Sequence, residues 1–297
     1  DSTEVDSTDE EIVQDNAQEE SESVIDFMLS PTLGFNLQSA SYERGKEIIS
    51  AQWLGSLRSK LDIYGDNFNF NSSMTAQYGQ IISKENRPIT TQDNLSVSLM
   101  PSMVLFKSFQ LRLFLDNVIQ TSMSYKENNG NPTNFLDPAY IYHTLFLGQD
   151  YKWNNEENTS SFKIIYGVGY AVQETYTDKY VLEENRQIVI DEGNPLSDVQ
   201  SHFTLESGYS GIIKFTYDNA ISDGFSFYSD FSIAAITKDS FFQDVNKVSV
   251  NGIFYSSLKY KFLSLEYSAN LTYDEKIYSH RQLEQTLVLG FTHTFNF

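Results

Sequence analysis

From Leu33 to the last residue, apolar and polar side chains alternate with a period of two, the signature of strands that show one face to an apolar medium. Ala51, Trp53, Leu57, Leu61 and Ile63 share one face, against Gln52, Ser56, Arg58, Lys60 and Asp62 on the other. Phe68, Phe70, Met74, Ala76 and Tyr78 then oppose Asn69, Asn71, Ser73, Thr75 and Gln77. The same beat returns in Leu95, Val97, Leu99, Met103 and Leu105, in Phe109, Leu111, Leu113 and Leu115, and in Phe162, Ile164, Tyr166, Val168, Tyr170 and Val172. It continues through Phe225, Phe227, Phe231 and Ile233, and through Leu265, Tyr267, Ala269, Leu271 and Tyr273. Twelve strands are predicted, at 32–42, 50–63, 67–82, 93–106, 109–124, 140–152, 160–175, 199–218, 225–237, 246–260, 264–274 and 283–297.

The links between these segments alternate in length. Short ones fall at 64–66, 107–108, 153–159, 219–224 and 261–263, and longer ones, mostly rich in Asn, Gly, Pro and Asp, at 83–92, 125–139, 176–198, 238–245 and 275–282. Up-and-down transmembrane barrels have this asymmetry, with tight turns on the periplasmic side and long loops outside. An even strand number puts both termini on the short-turn side.

Alternation by itself does not say which face is inside, because soluble barrels alternate too. In a soluble barrel of twelve strands, however, the apolar faces would have to fill a lumen too wide for side chains to close. The polar faces carry Ser, Thr, Asn, Gln and Gly rather than dense Lys and Glu, which suits a wet lumen. Tyr42, Trp53, Tyr64, Tyr78, Tyr125, Tyr140, Trp153, Tyr176, Tyr260 and Tyr273 sit near segment ends, where interfacial aromatic girdles belong. The predicted fold class is therefore all-β, a transmembrane antiparallel barrel.

Composition fits. Aromatics reach 14%, with 22 Phe and 19 Tyr, yet mean hydropathy is −0.37 and no apolar run approaches the ~18 residues of a helical span. Without cysteine there is no disulfide framework, thiolate metal site or lipid-anchored Cys. The start, Asp1-Ser2-Thr3-Glu4, lacks the basic and apolar regions of a signal peptide, as expected of a processed exported chain. Net charge is −20, but residues 1–26 hold eleven acidic and no basic residues, leaving 29 acidic against 20 basic for the rest. Residues 1–26 read as a disordered acidic periplasmic tail, with an interaction arm or lumen plug as the other reading, and 27–297 as the barrel. A surface of this sign excludes nucleic acid as a partner.

The last strand carries the sharpest local signal. Leu287, Leu289, Phe291, His293, Phe295 and Phe297 occupy alternate positions, and the terminal residue is aromatic. This looks like the C-terminal strand of outer-membrane barrels, with Phe291, Phe295 and Phe297 as the signal read by the barrel-assembly machinery. The expected location is the outer membrane of a Gram-negative bacterium. The expected partners are its lipids, including lipopolysaccharide, that machinery, and other outer-membrane or periplasmic proteins.

Several phrases resemble an uncharacterised outer-membrane barrel family of the Bacteroidota, domain-of-unknown-function family 3078. They are Tyr78-Gly79 followed by Asp93-Asn94-Leu95; Asn134-Phe135-Leu136 with Pro138-Ala139-Tyr140; Gly148-Gln149-Asp150-Tyr151; and Leu271-Thr272-Tyr273-Asp274 with Glu284 and Gly290. An early Trp followed by paired glycines is reduced here to Trp53-Leu54-Gly55. The resemblance implies location and brings no catalytic or binding residues with it.

Candidate chemistry is sparse. A twelve-stranded phospholipase family keeps Ser and His on its lipid-facing side, so the four histidines matter. The alternation puts His293 on the apolar face, His280 in a loop, and His143 and His202 toward the lumen. None joins a Ser and an acid in a recognisable pattern. Asp191-Glu192-Gly193-Asn194 offers hard oxygen ligands without the spacing of a dedicated calcium loop. No catalytic residue, metal site or cofactor is assigned. The lumen says more: Arg58, Lys60, Arg112, Lys163, Lys214 and Lys259 face inward against Asp62, Asp116, Glu206, Asp230, Glu266 and Glu284. Six against six points to ion pairs crossing the lumen, with Arg112–Asp116 the pairing suggested by adjacency, and to an occluded barrel rather than a single-sign channel lining. Two functions follow: a non-enzymatic structural or accessory subunit of an outer-membrane assembly, such as a barrel-insertion or secretion complex, and a small pore or ligand-conducting channel.

Overall fold

A computed structural model describes residues 24–41, 47–83, 88–124, 126–128, 131–157, 159–179, 202–238, 248–273 and 282–296. Twelve antiparallel strands form the wall: β1 Val24–Ser41, β2 Glu47–Tyr64, β3 Phe68–Ser83, β4 Ile89–Phe106, β5 Leu111–Thr121 and β6 Ala139–Asn154. They are followed by β7 Ser160–Thr177, β8 His202–Ser222, β9 Phe225–Lys238, β10 Val248–Tyr260, β11 Leu263–Tyr273 and β12 Gln282–Thr292, which resumes at Phe295–Asn296. Each pairs with its chain neighbours, and β12 returns to β1, so the sheet closes without a crossover. Closure pairs every strand on both sides, which a wall standing in hydrocarbon requires of its backbone.

The predicted strand number and order hold. The first strand begins at Val24, eight residues before the predicted start, because Ile25, Phe27 and Leu29 already keep the alternation and Val24 through Pro31 pair with Tyr64 through Leu57. Adjacent apolar Met28 and the proline hide that beat in the sequence. Pro31 has no N–H to give the ladder, and it sits where β12 is interrupted at His293 and Thr294. The acidic tail through Ser23, the Asp191–Asn194 loop, His280 and Phe297 lie outside the described residues.

Side-chain distribution is inside-out relative to a soluble domain. Among the described residues that are buried, 21 polar side chains stand against 10 hydrophobic ones. Large apolar side chains are exposed on the outer wall on ten of the twelve strands, with Val168 at 72% and Tyr209 at 74%. This is the arrangement of a membrane-spanning barrel, with an apolar band outside and hydrogen-bonding groups within. Short turns join β2–β3, β4–β5, β6–β7, β8–β9 and β10–β11, all at one end. At the β8–β9 turn Gly224 adopts φ +75°, and its carbonyl accepts from Lys261 N–H at 2.6 Å, tying that turn to the next.

The lumen also holds a small apolar core absent from the sequence reading. Met100, Phe114, Phe146, Ile165 and Ile212 gather there from five consecutive strands, and the Phe114 and Phe146 rings stack 4.6 Å apart. Inward glycines on β7 make the space: a Cβ on Gly167 would come within 2.5 Å of the Phe146 ring.

Candidate functional site

The strand alternation aims eleven of the twelve predicted charged positions at the lumen, the side chain of Glu284 lying outside the described residues, and the short-turn half collects most of them. On β2, Lys60 pairs with Asp62 at 2.9 Å. Asp62 also accepts from Asn71 Nδ2 at 2.6 Å and from the Tyr64 hydroxyl at 3.2 Å. From β7, Lys163 Nζ donates to the same Tyr64 hydroxyl at 3.2 Å, so a chain of polar contacts links walls five strands apart. Midway up, Lys214 on β8 meets Asp116 on β5 at 2.8 Å, and Ser98 on β4 donates to Asp116 at 3.1 Å. Arg58 on β2 lies over the Tyr255 ring of β10. Beside the closing strands, Lys259 donates to Ser30 and Thr294 at 3.0 and 2.6 Å, and Thr32 donates to Glu266 at 2.7 Å.

The suggested Arg112–Asp116 pair does not form. Arg112 Nε donates to Ser102 at 3.3 Å, and Asp116 takes Lys214 instead. Side chains two rungs apart on a strand compete with a lysine whose long stem reaches across the lumen. Asp230 accepts from Tyr228 at 3.1 Å, and Glu206 lies on the inward alternation of β8. The backbone of Glu284 pairs with that of Asn270. The sequence reading omitted Tyr64 and Tyr255 as bracing groups and the inward carboxylates Asp150 and Asp218. All four were accessible to the same alternation.

Toward the long loops the lining is mostly neutral amides and hydroxyls, with Glu206 of β8 among them. Asn251 on β10 donates to Gln120 on β5 at 3.0 Å, and Gln92 on β4 donates to Thr286 on β12 at 2.9 Å. Between these levels lies a central cavity of about 220 Å³ that touches eleven of the twelve strands.

His143 overturns its assignment. It faces outward from β6, its Nδ1 2.7 Å from Asn117 Oδ1 and its Nε2 3.7 Å from Glu174 Oε1. The parity of β6 is hard to read because large side chains occupy both faces: Tyr142 and Phe146 point in, Leu145 and Leu147 out. An Asn that orients a His would suit nucleophilic catalysis, but the outward neighbours of His143, Leu145 along the strand and Val172 across the ladder, carry no nucleophile. His293 lies on the outer face as expected, edge-on to Phe295 at 4.4 Å. The side chain of His202 lies outside the described residues. Phe291 and Phe295 are both exposed on the outer wall of β12.

No protein-family model and no curated protein matches this chain. Among solved structures it is similar to an outer membrane channel from Pseudomonas putida F1, at 8% identity and a TM-score of 0.39 over 92% of this chain and 95% of that one. It is also similar to the NanC porin, at 8% identity and 0.33 over 90% and 97%. A third likeness is the translocator domain of autotransporter NalP from Neisseria meningitidis, at 8% and 0.34 over 91% and 88%. Similarities this low carry no functional argument, and the architecture rests on this chain's own closed ladder.

Proposed function

We propose that this chain is a non-enzymatic outer-membrane barrel of a Gram-negative bacterium that serves as a structural or accessory subunit of an outer-membrane protein assembly. The observation that carries the reading is the set of ties across the lumen. Lys163–Tyr64–Asp62, Lys214–Asp116, Arg58–Tyr255 and Asn251–Gln120 join opposite or distant walls at successive heights. A conduit keeps its lining side chains apart and its charge of one sign. Here cations and anions neutralise one another and occupy the path, so the lumen acts as a strut and the outer wall and long loops are left to make contacts. The resemblance to the Bacteroidota family belongs to the same proposal, as do contacts with lipopolysaccharide and recognition of β12 by the assembly machinery.

A second reading, a small pore, is favoured by the central cavity, where charged and hydroxyl side chains such as Lys60, Asp62, Ser98 and Thr144 share the lining with Met100, Ile165 and Ile212. Two measurements separate them. Planar-bilayer recording of the purified barrel should give little steady conductance, and gentle detergent extraction from native membranes should bring defined outer-membrane or periplasmic proteins with it. Large, stable single-channel openings without a co-purifying partner would overturn the accessory-subunit reading in favour of the pore.

A further inference from the structure

The wall is not equally closed around its circumference. Neighbouring strands elsewhere share nine to eighteen paired residues, but β1 and β12 share only five: Met28 and Leu29 with Asn296 and Phe295, and Thr32 to Gly34 with Thr292 to Gly290. Toward the long loops, residues 35–41 of β1 pair with β2 alone, and residues 282–289 of β12 pair with β11 alone. Every second residue on these two edges therefore turns its N–H and C=O toward the gap. Gly34 and Gly290 form the last rung, so close that a Cβ on Gly290 would come within 2.7 Å of the Leu33 carbonyl oxygen.

Just above that rung, between the two edges, lies a cavity of about 480 Å³. That is within the range of about 300–1,000 Å³ typical of small-molecule sites. Its lining comes from both faces of the wall. Phe35, Leu287 and Leu289 belong to the lipid-facing side and are exposed. Gln92 and Thr286, joined by their hydrogen bond, belong to the lumen side. Gln285 shares the outer face with Leu287 and Leu289; its Oε1 accepts from Tyr267 at 3.1 Å, which leaves its amide N–H groups as donors at the rim of the gap. No residue lining this cavity is charged.

Depth is fixed by the neighbouring aromatics. Phe35 pairs with Trp53, and the Trp53 ring lies 5.6 Å from that of Tyr78, a cluster of the kind that marks the level where head groups meet chains. Unpaired backbone edges are costly in hydrocarbon but can be satisfied at this level by water or by a hydroxyl-bearing ligand. We propose that the gap between β1 and β12 is a lateral site for a single-chain amphiphile with an uncharged, hydroxyl-bearing head. Its chain lies against Phe35, Leu287 and Leu289 in the bilayer. Its head meets Gln285 at the outer rim and reaches into the gap toward the open strand edges and Gln92. This inference requires only that the barrel stand in a membrane, and it is independent of the accessory-subunit reading.

The test uses the full barrel in phosphatidylcholine nanodiscs with Trp153→Phe, which leaves Trp53 as the single tryptophan. The probe is dodecyl maltoside brominated near the chain end. Quenching of Trp53 should saturate at low mole fraction, whereas bromo-phosphatidylcholine should quench only in proportion to its amount. Because the chain has no cysteine, Phe35→Cys with Leu289→Cys can be oxidised to close the gap. Saturable quenching should vanish on oxidation and return with reductant, while a disulfide inside the existing ladder, Leu33→Cys with Phe291→Cys, should leave it intact. Should the first pair fail to fold or oxidise, Gln285→Leu should weaken the probe about tenfold through loss of one hydrogen bond to the head. The proposal is overturned by quenching that stays proportional, by saturation that survives the closed gap, by an unchanged affinity in Gln285→Leu, or by equal binding of dodecyl phosphate.

Discussion

The pair Lys214–Asp116 offers the most direct measure of how far the lumen is braced. Lys214→Met keeps the length of the side chain and removes its charge, leaving Asp116, 4% exposed, with the Ser98 hydroxyl as its remaining close donor. Removing one member of a buried pair costs about 3–5 kcal/mol, since the survivor is left uncompensated. Lys214 is 19% exposed to lumen water, which can follow the lost ammonium, so the low end applies, about 3 kcal/mol. The converse change, Asp116→Leu, strands a better hydrated cation that still reaches Ser98 at 3.4 Å, and should cost about 2 kcal/mol. The double variant removes both charges and should be more stable than the sum of the singles implies, with a coupling energy of about 2 kcal/mol. The assay is reversible urea unfolding in lipid vesicles, read by tryptophan fluorescence at a constant slope against denaturant. A coupling energy below about 0.5 kcal/mol would refute the argument, because it would mean that lumen water already screens the pair and that it joins the walls in geometry alone.

Three further outcomes are expected. Gly169→Ala places a Cβ within 2.5 Å of Phe146 Cα and against the Leu145 carbonyl, so it should destabilise the barrel by about 1–3 kcal/mol and raise the fraction that runs as unfolded on an unboiled gel; an unchanged gel would show that the lumen core yields easily. Glu174→Leu removes an outward carboxylate near the long-loop end of the wall and should raise stability in vesicles by up to about 1 kcal/mol, whereas a loss of that size would show that the Asn117–His143–Glu174 cluster has a partner of its own. Deleting Phe297 should lower outer-membrane levels far more than Phe135→Ala, which changes an exposed loop aromatic; equal levels would remove the terminal strand as an assembly signal.

Much of the wall was legible because a two-residue period is imposed by pleat geometry alone, and the period survives wherever one face meets lipid. That is why the strands and the inward set from Arg58 to Glu266 could be read without coordinates. What the period omits is height and azimuth. It places Arg112 and Asp116 on one face, but which lysine reaches Asp116 depends on the stagger between β5 and β8, two strands joined only through β6 and β7. Parity itself fails where both faces carry bulk, as on β6, and the error with His143 follows from that. Phe114 between Arg112 and Asp116, Ile165 beside Lys163 and Ile212 beside Lys214, all on inward faces, were the visible signs of an apolar core in the lumen. The open edge between β1 and β12 has no sequence signature, since it is the absence of pairing between segments that each alternate normally.

The closing ladder has a consequence for how the chain acquires its shape. Every other strand pairing in the described wall joins chain neighbours, so the separation in sequence is set by one turn or loop. The β1–β12 pairing alone spans almost the whole chain, with Thr32 opposite Thr292. Loop-closure entropy is therefore concentrated in a single event, secured by the smallest number of rungs. Hairpins can form in any order and at local speed, while circularisation must wait for both ends and sets the pace of maturation. Mutations at Gly34, Gly290 or Thr292 should then act on the rate at which a finished sheet becomes a ring, and changes elsewhere in the wall mainly on how long the ring lasts once made.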